Sequence, residues 1–215
     1  MFSIVFFDLD DTLYPADCGL WHAIRDRISR YMVERLGIPA EQVQELRSHY
    51  YQTYGTALRG LELHHRVDRD DYLAYVHDVP LRDFIAPDPE QRAAILRVPA
   101  RRWIFTNADT AHANRVLAAL ALEGCFEGVI DVRALTPYCK PEPQSFAIAQ
   151  RIAGATEPRQ CALIEDLPRT TRLAREQGWY TVLAGRADPG PDADAGLTRW
   201  ADLPALLERS AREQR

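Results

Sequence analysis

The sequence predicts an α/β protein: a parallel sheet with helices as its crossovers, and an all-helical domain inserted between the first two strands. Three observations carry this. Short apolar runs alternate with helical segments along the 215 residues, the pattern of βαβ units with right-handed crossovers. The runs are apolar throughout instead of alternating, as in strands buried on both faces. And about seventy residues of helical periodicity follow the first run, where a direct crossover needs only a dozen or so.

Residues 2–7 form the first strand, ending at Asp8-Leu9-Asp10-Asp11-Thr12. Leu20, Ile24, Ile28, Tyr31, Met32 and Leu36 then recur at helical spacing until Gly37. Pro39 opens a second helix with Val43, Leu46, Tyr50 and Tyr54 on one face, and a shorter third spans about residues 69–77. Three prolines, Pro80, Pro87 and Pro89, close the insert. The division expected is a core of residues 1–14 and 85–215 and a helical cap of 15–84. The core continues with strands at 103–106, 162–165 and 179–183 and a weaker one at 128–131. Helices are expected over about 109–121, 143–152 and 168–177, the last two opened by proline and the last stopped by Gly178.

Composition narrows the function classes. At 47% hydrophobic and 27% charged the chain is an ordinary globular one. A net charge of −5 gives no whole-chain footprint for a nucleic-acid polymer. No apolar run is long enough to cross a bilayer, and the opening MFSIVFFD reads as a buried strand and not a signal peptide. Four scattered cysteines without a CxxC pair read as free thiols in a reducing, cytoplasmic setting. Neither GxxxxGK[ST] nor GxSxG occurs.

Ligands of open α/β sheets bind beyond the carboxyl ends of the strands. The first strand delivers Asp8, Asp10 and Thr12 there, the second Thr106 and Asn107, a Pro-flanked turn Lys140, and the fourth motif-bearing strand Glu165 and Asp166. Converging carboxylates repel one another unless a hard cation such as Mg²⁺ binds them. A cation beside a lysine and polar donors suits a phosphate. Asp8 then reads as a nucleophile, and Asp10 as the acid that protonates the leaving oxygen and later takes a proton from water. Thr106, Asn107 and Lys140 would hold the phosphoryl oxygens. Lys140 is the single lysine among 26 basic residues. A compact ammonium fits a tight site where a planar guanidinium does not.

FFDLDDTLYP, IFTN, CKPEPQSF and IEDLPRTTRLAREQG, in that order, resemble the four motifs of the haloacid dehalogenase superfamily. The resemblance covers essentially the whole chain. It implies a Rossmann-like parallel-sheet core with a mobile cap and an aspartyl-phosphate mechanism. Asp8 corresponds to the nucleophile, Asp10 to the general acid/base, Thr106 to a phosphate ligand, and Lys140 to the residue steadying Asp8 and the phosphoryl group. Asp166 corresponds to a Mg²⁺ ligand, with the Asp8 carboxylate and the Asp10 backbone carbonyl. The second acid, Asp10, resembles the phosphatase branch more than the dehalogenases proper. The fourth motif departs from the usual Asp-Asp or Gly-Asp, and Thr170 stands where an acid or amide often follows. Glu165 either reaches the metal through water or points away.

The insert, with SHYYQTYGTALRGL, DYLAYVHD and PLRDFIAPDPE, is similar to the pyrimidine 5′-nucleotidase subgroup. This implies UMP or CMP as substrate. Tyr50 and Tyr54 are the candidate base-stacking residues, beside Tyr51 and Tyr14, with Gly55 and Gly60 turning the following loop toward the core. Phosphatase action on a sugar phosphate or phosphoglycolate, and a catalytically silent binding protein, are the alternatives. Of the histidines, His22, His49, His64, His65 and His77 read as solvated or structural. Arg25, Arg27 and Arg30 read as a solvated helix face, and Cys139 as an inert thiol beside Lys140.

Overall fold

The computed structural model describes residues 2–213. Strands β1 (Ile4–Phe7), β2 (Arg101–Phe105), β3 (Gly128–Ile130), β4 (Cys161–Glu165), β5 (Tyr180–Ala184) and β6 (Ala195–Leu197) form one sheet in the order β3-β2-β1-β4-β5-β6. Every pairing is parallel. The chain order reverses at β1, so the edge beyond its carboxyl end is the switch point of a doubly wound sheet.

Alternation along the strands divides the core between two faces. Phe6 of β1 stacks on Trp179 at 4.6 Å and meets Phe105 edge-on on one face. Val5 and Phe7 join Ile104, Ile164 and Val182 on the other. Both faces of β1 are fully buried. That is why the run is apolar without alternation.

Between β1 and β2 lie helices α1 (Leu20–Glu34), α2 (Ala40–Tyr54), α3 (Ala57–His64), α4 (Arg69–Val76) and α5 (Pro89–Leu96). The later helices are α6 (Thr110–Ala119), α7 (Val132–Leu135), α8 (Pro143–Ala153), α9 (Pro168–Glu176) and α10 (Leu203–Glu213). Among the described residues no helix is long and apolar enough to cross a membrane.

The structure adds elements the sequence pattern does not reveal. β6 is a three-residue edge strand in a polar, Gly- and Asp-rich stretch, too short for a period. α5 starts at its Asp88 cap and Pro89, amid prolines that otherwise signal a break. The loop expected after Gly55 is helix α3. The Thr56 side chain accepts from the Arg59 N–H and so starts the helix. Gly60 lies inside that helix because Tyr50 of α2 crosses it: a Cβ there would come within 2.2 Å of the Tyr50 ring.

A test follows from that crossing. Gly→Ala inside a helix ordinarily gains up to about 1 kcal/mol. Here the overlap forces the helices apart, at a cost of roughly 1–3 kcal/mol. Gly60→Ala should therefore lower the thermal midpoint in calorimetry, and a raised midpoint would show that α2 and α3 separate freely.

Candidate active site

Asp8 follows β1 directly, and its N–H donates to the Ile164 carbonyl of β4 at 2.9 Å. The parallel register thereby places Asp8 beside Glu165, the last residue of β4. The Lys140 Nζ reaches between them, 2.6 Å from Asp8 Oδ1 and 2.8 Å from Glu165 Oε2, with all three side chains buried. Thr12 Oγ1 donates to Asp8 Oδ2 at 2.9 Å and lies 3.3 Å from Asp166 Oδ1. The turn between Asp10 and Thr12 runs through Asp11, whose φ of 59° is in the left-handed region.

Lys140 is held by an exchange of two hydrogen bonds. The Asn107 amide donates to the Lys140 carbonyl at 2.9 Å, and the Lys140 N–H donates to Asn107 Oδ1 at 2.8 Å. Asn107 therefore fixes the lysine loop, although it also lines the cleft. Thr106 is buried and accepts from the Ala108 N–H at 3.0 Å.

Glu165 does not point away: it is ion-paired to Lys140. Asp8, Glu165 and Asp166 each offer an oxygen, and the three atoms lie within 4.8 Å of one another. The electrostatics show what this convergence costs. Burial, then the charge of Glu165, pushes the Asp8 carboxyl up to about 7 despite Lys140. Burial likewise raises Glu165 to about 7, and burial with the Asp8 charge raises Asp166 to about 6. Burial and the charges of Asp10 and Asp8 raise Asp11 to about 7, and Asp11 Oδ1 has no hydrogen-bond partner. Burial alone would lower Lys140, but Asp8 and Glu165 hold it above its usual value. An all-oxygen cluster with this much uncompensated charge fits a hard divalent cation such as Mg²⁺, with Asp8 and Asp166 as carboxylate ligands and Glu165 beside them.

Asp10 has a different environment. Its Oδ1 accepts from Tyr14 Oη at 2.7 Å and lies 3.0 Å from His112 Nε2. Burial would raise it, but His112 and Tyr14 outweigh burial and hold it at about 2. His112 in turn stacks on His77 at 4.1 Å, and His77 Nδ1 lies 3.1 Å from Asp109. His77, read from sequence as solvated or structural, is buried and lines the cleft. His112 escaped the sequence reading: its signal was a polar residue on the buried face of α6.

These groups open into a cavity of about 370 Å³ roofed by the inserted helices. Its apolar wall includes Trp21, Ile24, Ile28, Leu58 and Leu73. The expected tyrosines are displaced. Tyr50 is buried against Gly60, stacks on His64 and bonds to His65, while Tyr54 Oη bonds to His64. Neither lines the cavity; Tyr51 does. The helical period explains this, since Tyr50 faces α3 and Tyr51, one residue on, is turned about 100° from it. Arg25, expected in solvent, also lines the cavity, whereas Arg27 pairs with Asp78. Cys139 is inert, its thiol pushed up to about 12 by burial.

Arg169, three residues after Asp166, joins the helical insert to the core. Its guanidinium donates to the carbonyls of Tyr51 and Gly55, each at 3.0 Å, and lies 3.8 Å from the Tyr51 ring centroid. Gly55 itself sits on the lysine loop, where a Cβ would come within 2.7 Å of the Lys140 carbonyl.

A buried aspartate is paired to a lysine beside an oxygen-rich cluster, at the switch point of a capped parallel sheet. The chain belongs to the haloacid dehalogenase-like hydrolases, whose family model it matches over residues 2–176. It is 26% identical over 195 residues to phosphate metabolism protein 8 of Saccharomyces cerevisiae. That match covers 84% of this chain and 61% of the yeast protein, so the chain spans less than two thirds of that relative. Two solved structures share the fold: CbbY of Rhodobacter sphaeroides in complex with phosphate and L-2-haloacid dehalogenase of Xanthobacter autotrophicus. The first has a TM-score of 0.66 at 17% identity, covering 94% of this chain and 96% of that one. The second has a TM-score of 0.60 at 19% identity, covering 97% and 99%.

The raised carboxyls set a pH dependence for metal binding. A carboxyl whose folded value exceeds its unfolded value gives stability below the unfolded value and loses it as pH rises through the folded one. For Asp8, Glu165 and Asp166 that window runs from about 4 to about 7. A bound cation needs the deprotonated forms. Saturating Mg²⁺ should therefore raise the melting temperature more at pH 7.5 than at pH 5.0, by roughly 5–10 °C at the higher pH. An equal shift at both values would show that these carboxylates do not ligate it.

Proposed function

We propose that this chain is a Mg²⁺-dependent phosphomonoesterase acting on pyrimidine nucleoside 5′-monophosphates through an aspartyl-phosphate on Asp8. The observation that carries the reaction class is the Asp8–Lys140 pair at 2.6 Å, opening into a roofed cavity beside a second acid, Asp10. The yeast relative, named for phosphate metabolism, points the same way.

The steps assign themselves to atoms. An Asp8 oxygen attacks phosphorus, and the bond to the ester oxygen breaks. Lys140 and Thr106 stabilise charge on the phosphoryl oxygens. The leaving oxygen takes a proton from Asp10, which is ionised at rest and takes that proton up from solvent when the anionic phosphate of the substrate settles beside it and raises its carboxyl. Water then attacks the aspartyl-phosphate, giving its proton to the Asp10 carboxylate and releasing phosphate. Asp10, held near 2 at rest, is well disposed to that second half. Mg²⁺ held by Asp8 and Asp166 would neutralise the acids and polarise the phosphoryl group. The roofing helices exclude water from the intermediate.

A volume of about 370 Å³ lies within the range of ligand sites and suits a substrate the size of a nucleoside monophosphate. Tyr51 and Trp21 replace Tyr50 and Tyr54 as the aromatic surfaces offered to it.

Phosphate release should be fastest with UMP and CMP when compared with AMP and sugar phosphates, and should stop on chelation. A flat profile, or preference for a sugar phosphate, would remove the pyrimidine assignment and leave the chemistry. Asp8→Asn should cut turnover by about 10⁴ or more with an unchanged circular dichroism spectrum; retained turnover would overturn the nucleophile. Lys140→Arg keeps the charge but not the fit between carboxylates 2.6 and 2.8 Å away. It should lower kcat by about 10²-fold or more, and full activity would show that charge alone suffices.

A further inference from the structure

Three arginines line the cavity: Arg25 on α1, Arg47 on α2 and Arg169 on α9. Arg169 is already committed, since both its terminal nitrogens donate to the carbonyls at the end of α2. The other two are not. Arg47 uses Nη1 to hold the Arg25 carbonyl at 3.1 Å and Ser29 Oγ at 3.3 Å. Among the described residues its Nε and Nη2 make no hydrogen bond, and the Arg25 guanidinium makes neither a hydrogen bond nor an ion pair. Arg27 and Arg69, also half-buried in these helices, each meet a carboxylate. Asp26, the acid whose charge acts on Arg47, is exposed and forms no ion pair with it.

Two neighbouring arginines thus line the cavity, and among the described residues neither is paired with a protein anion. Burial, and then the charge of Arg25, lowers Arg47 below its usual value, so each cation disfavours the other. An anion on the ligand turns that repulsion into charge-assisted hydrogen bonds, which a guanidinium fork forms in pairs with a carboxylate or phosphate. The transferred phosphate is not that anion, because it must sit at Asp8 and Lys140. A simple nucleoside monophosphate would leave the arginines uncompensated.

We propose that Arg25 and Arg47 form a distal anion site, so that the favoured substrates carry a second negative group, a carboxylate or another phosphate, on the part that leaves. This rests on the phosphomonoesterase reading of the cleft and holds for either class of leaving group. The second anion has three chemical sources within that class: a carboxylate on the base, a phosphate on the ribose, or the carboxylate of a short ester.

The experiment compares matched pairs: orotidine 5′-monophosphate with UMP, uridine 3′,5′-bisphosphate with UMP, and phosphoglycolate with ethyl phosphate. The readout is the ratio of kcat/KM within each pair, with p-nitrophenyl phosphate as the general phosphatase reporter. At least one pair should favour the doubly charged member by about fivefold or more, and the pair that does so identifies the source. That ratio should collapse toward one in Arg47→Gln and in Arg25→Gln. The second variant matters because, among the described residues, the Arg25 side chain makes no hydrogen bond or ion pair whose loss would disturb the helices. Ratios below fivefold in every pair, or a preference that survives Arg25→Gln, would overturn the distal site. Inactivity on all substrates, the reporter included, would instead overturn the phosphomonoesterase reading beneath it.

Discussion

The Lys140 ammonium lies within hydrogen-bond distance of both Asp8 and Glu165, and the rest of the site depends on that contact. Without it, the edge of the sheet would hold Asp8, Asp11, Glu165 and Asp166 with no buried countercharge. Burial raises all four carboxyls, and one ammonium set against four acids does not bring them back down. The same deficit makes a divalent cation a fitting partner. The lysine orders the acids, and the remaining charge is what a metal would neutralise.

The sheet makes this crowding possible. Parallel strands end on the same side, so β1 and β4, paired in register, bring Asp8 and Glu165 side by side. The Asp10 side divides the labour differently. Tyr14 and His112 hold Asp10 low, while burial and like charges hold Asp8 high. Two carboxyls, two residues apart, are thereby given opposite proton affinities, the separation that the proposed nucleophile and proton carrier require.

Much of this was legible in the sequence because it is written in short-range pattern. The apolar runs marked five of the six strands, and the residues just beyond them were the ones the fold gathers. Lys140 stood out by composition alone. Tertiary packing hid the rest. Tyr50 and Tyr51 are chemically alike and adjacent, and only the crossing of Gly60 decides which is buried between helices and which faces the cavity. The pairing of His112 with Asp10 spans 102 residues of sequence and leaves no periodic trace. Arg25 and Arg27 are both charged residues on one helix, yet one meets Asp78 and the other lines the cleft. β6 and α5 were missed because three residues carry no period and because prolines mark helix starts as well as breaks.

Arg169 and Gly55 fasten the end of α2 to two loops at once, the one bearing Asp166 and the one bearing Lys140. The roof is therefore not an interchangeable module. A chimera that grafted the helices of another relative onto this sheet would have to bring its own joint with it: the turn at residues 51–56, the lysine loop at 139–141 and position 169. Grafted without them, the new helices could fold well and still collide with the lysine loop, although Asn107 would go on holding Lys140. The seating of the roof and the path of the lysine loop are thus inherited together in this chain, through one glycine and one arginine.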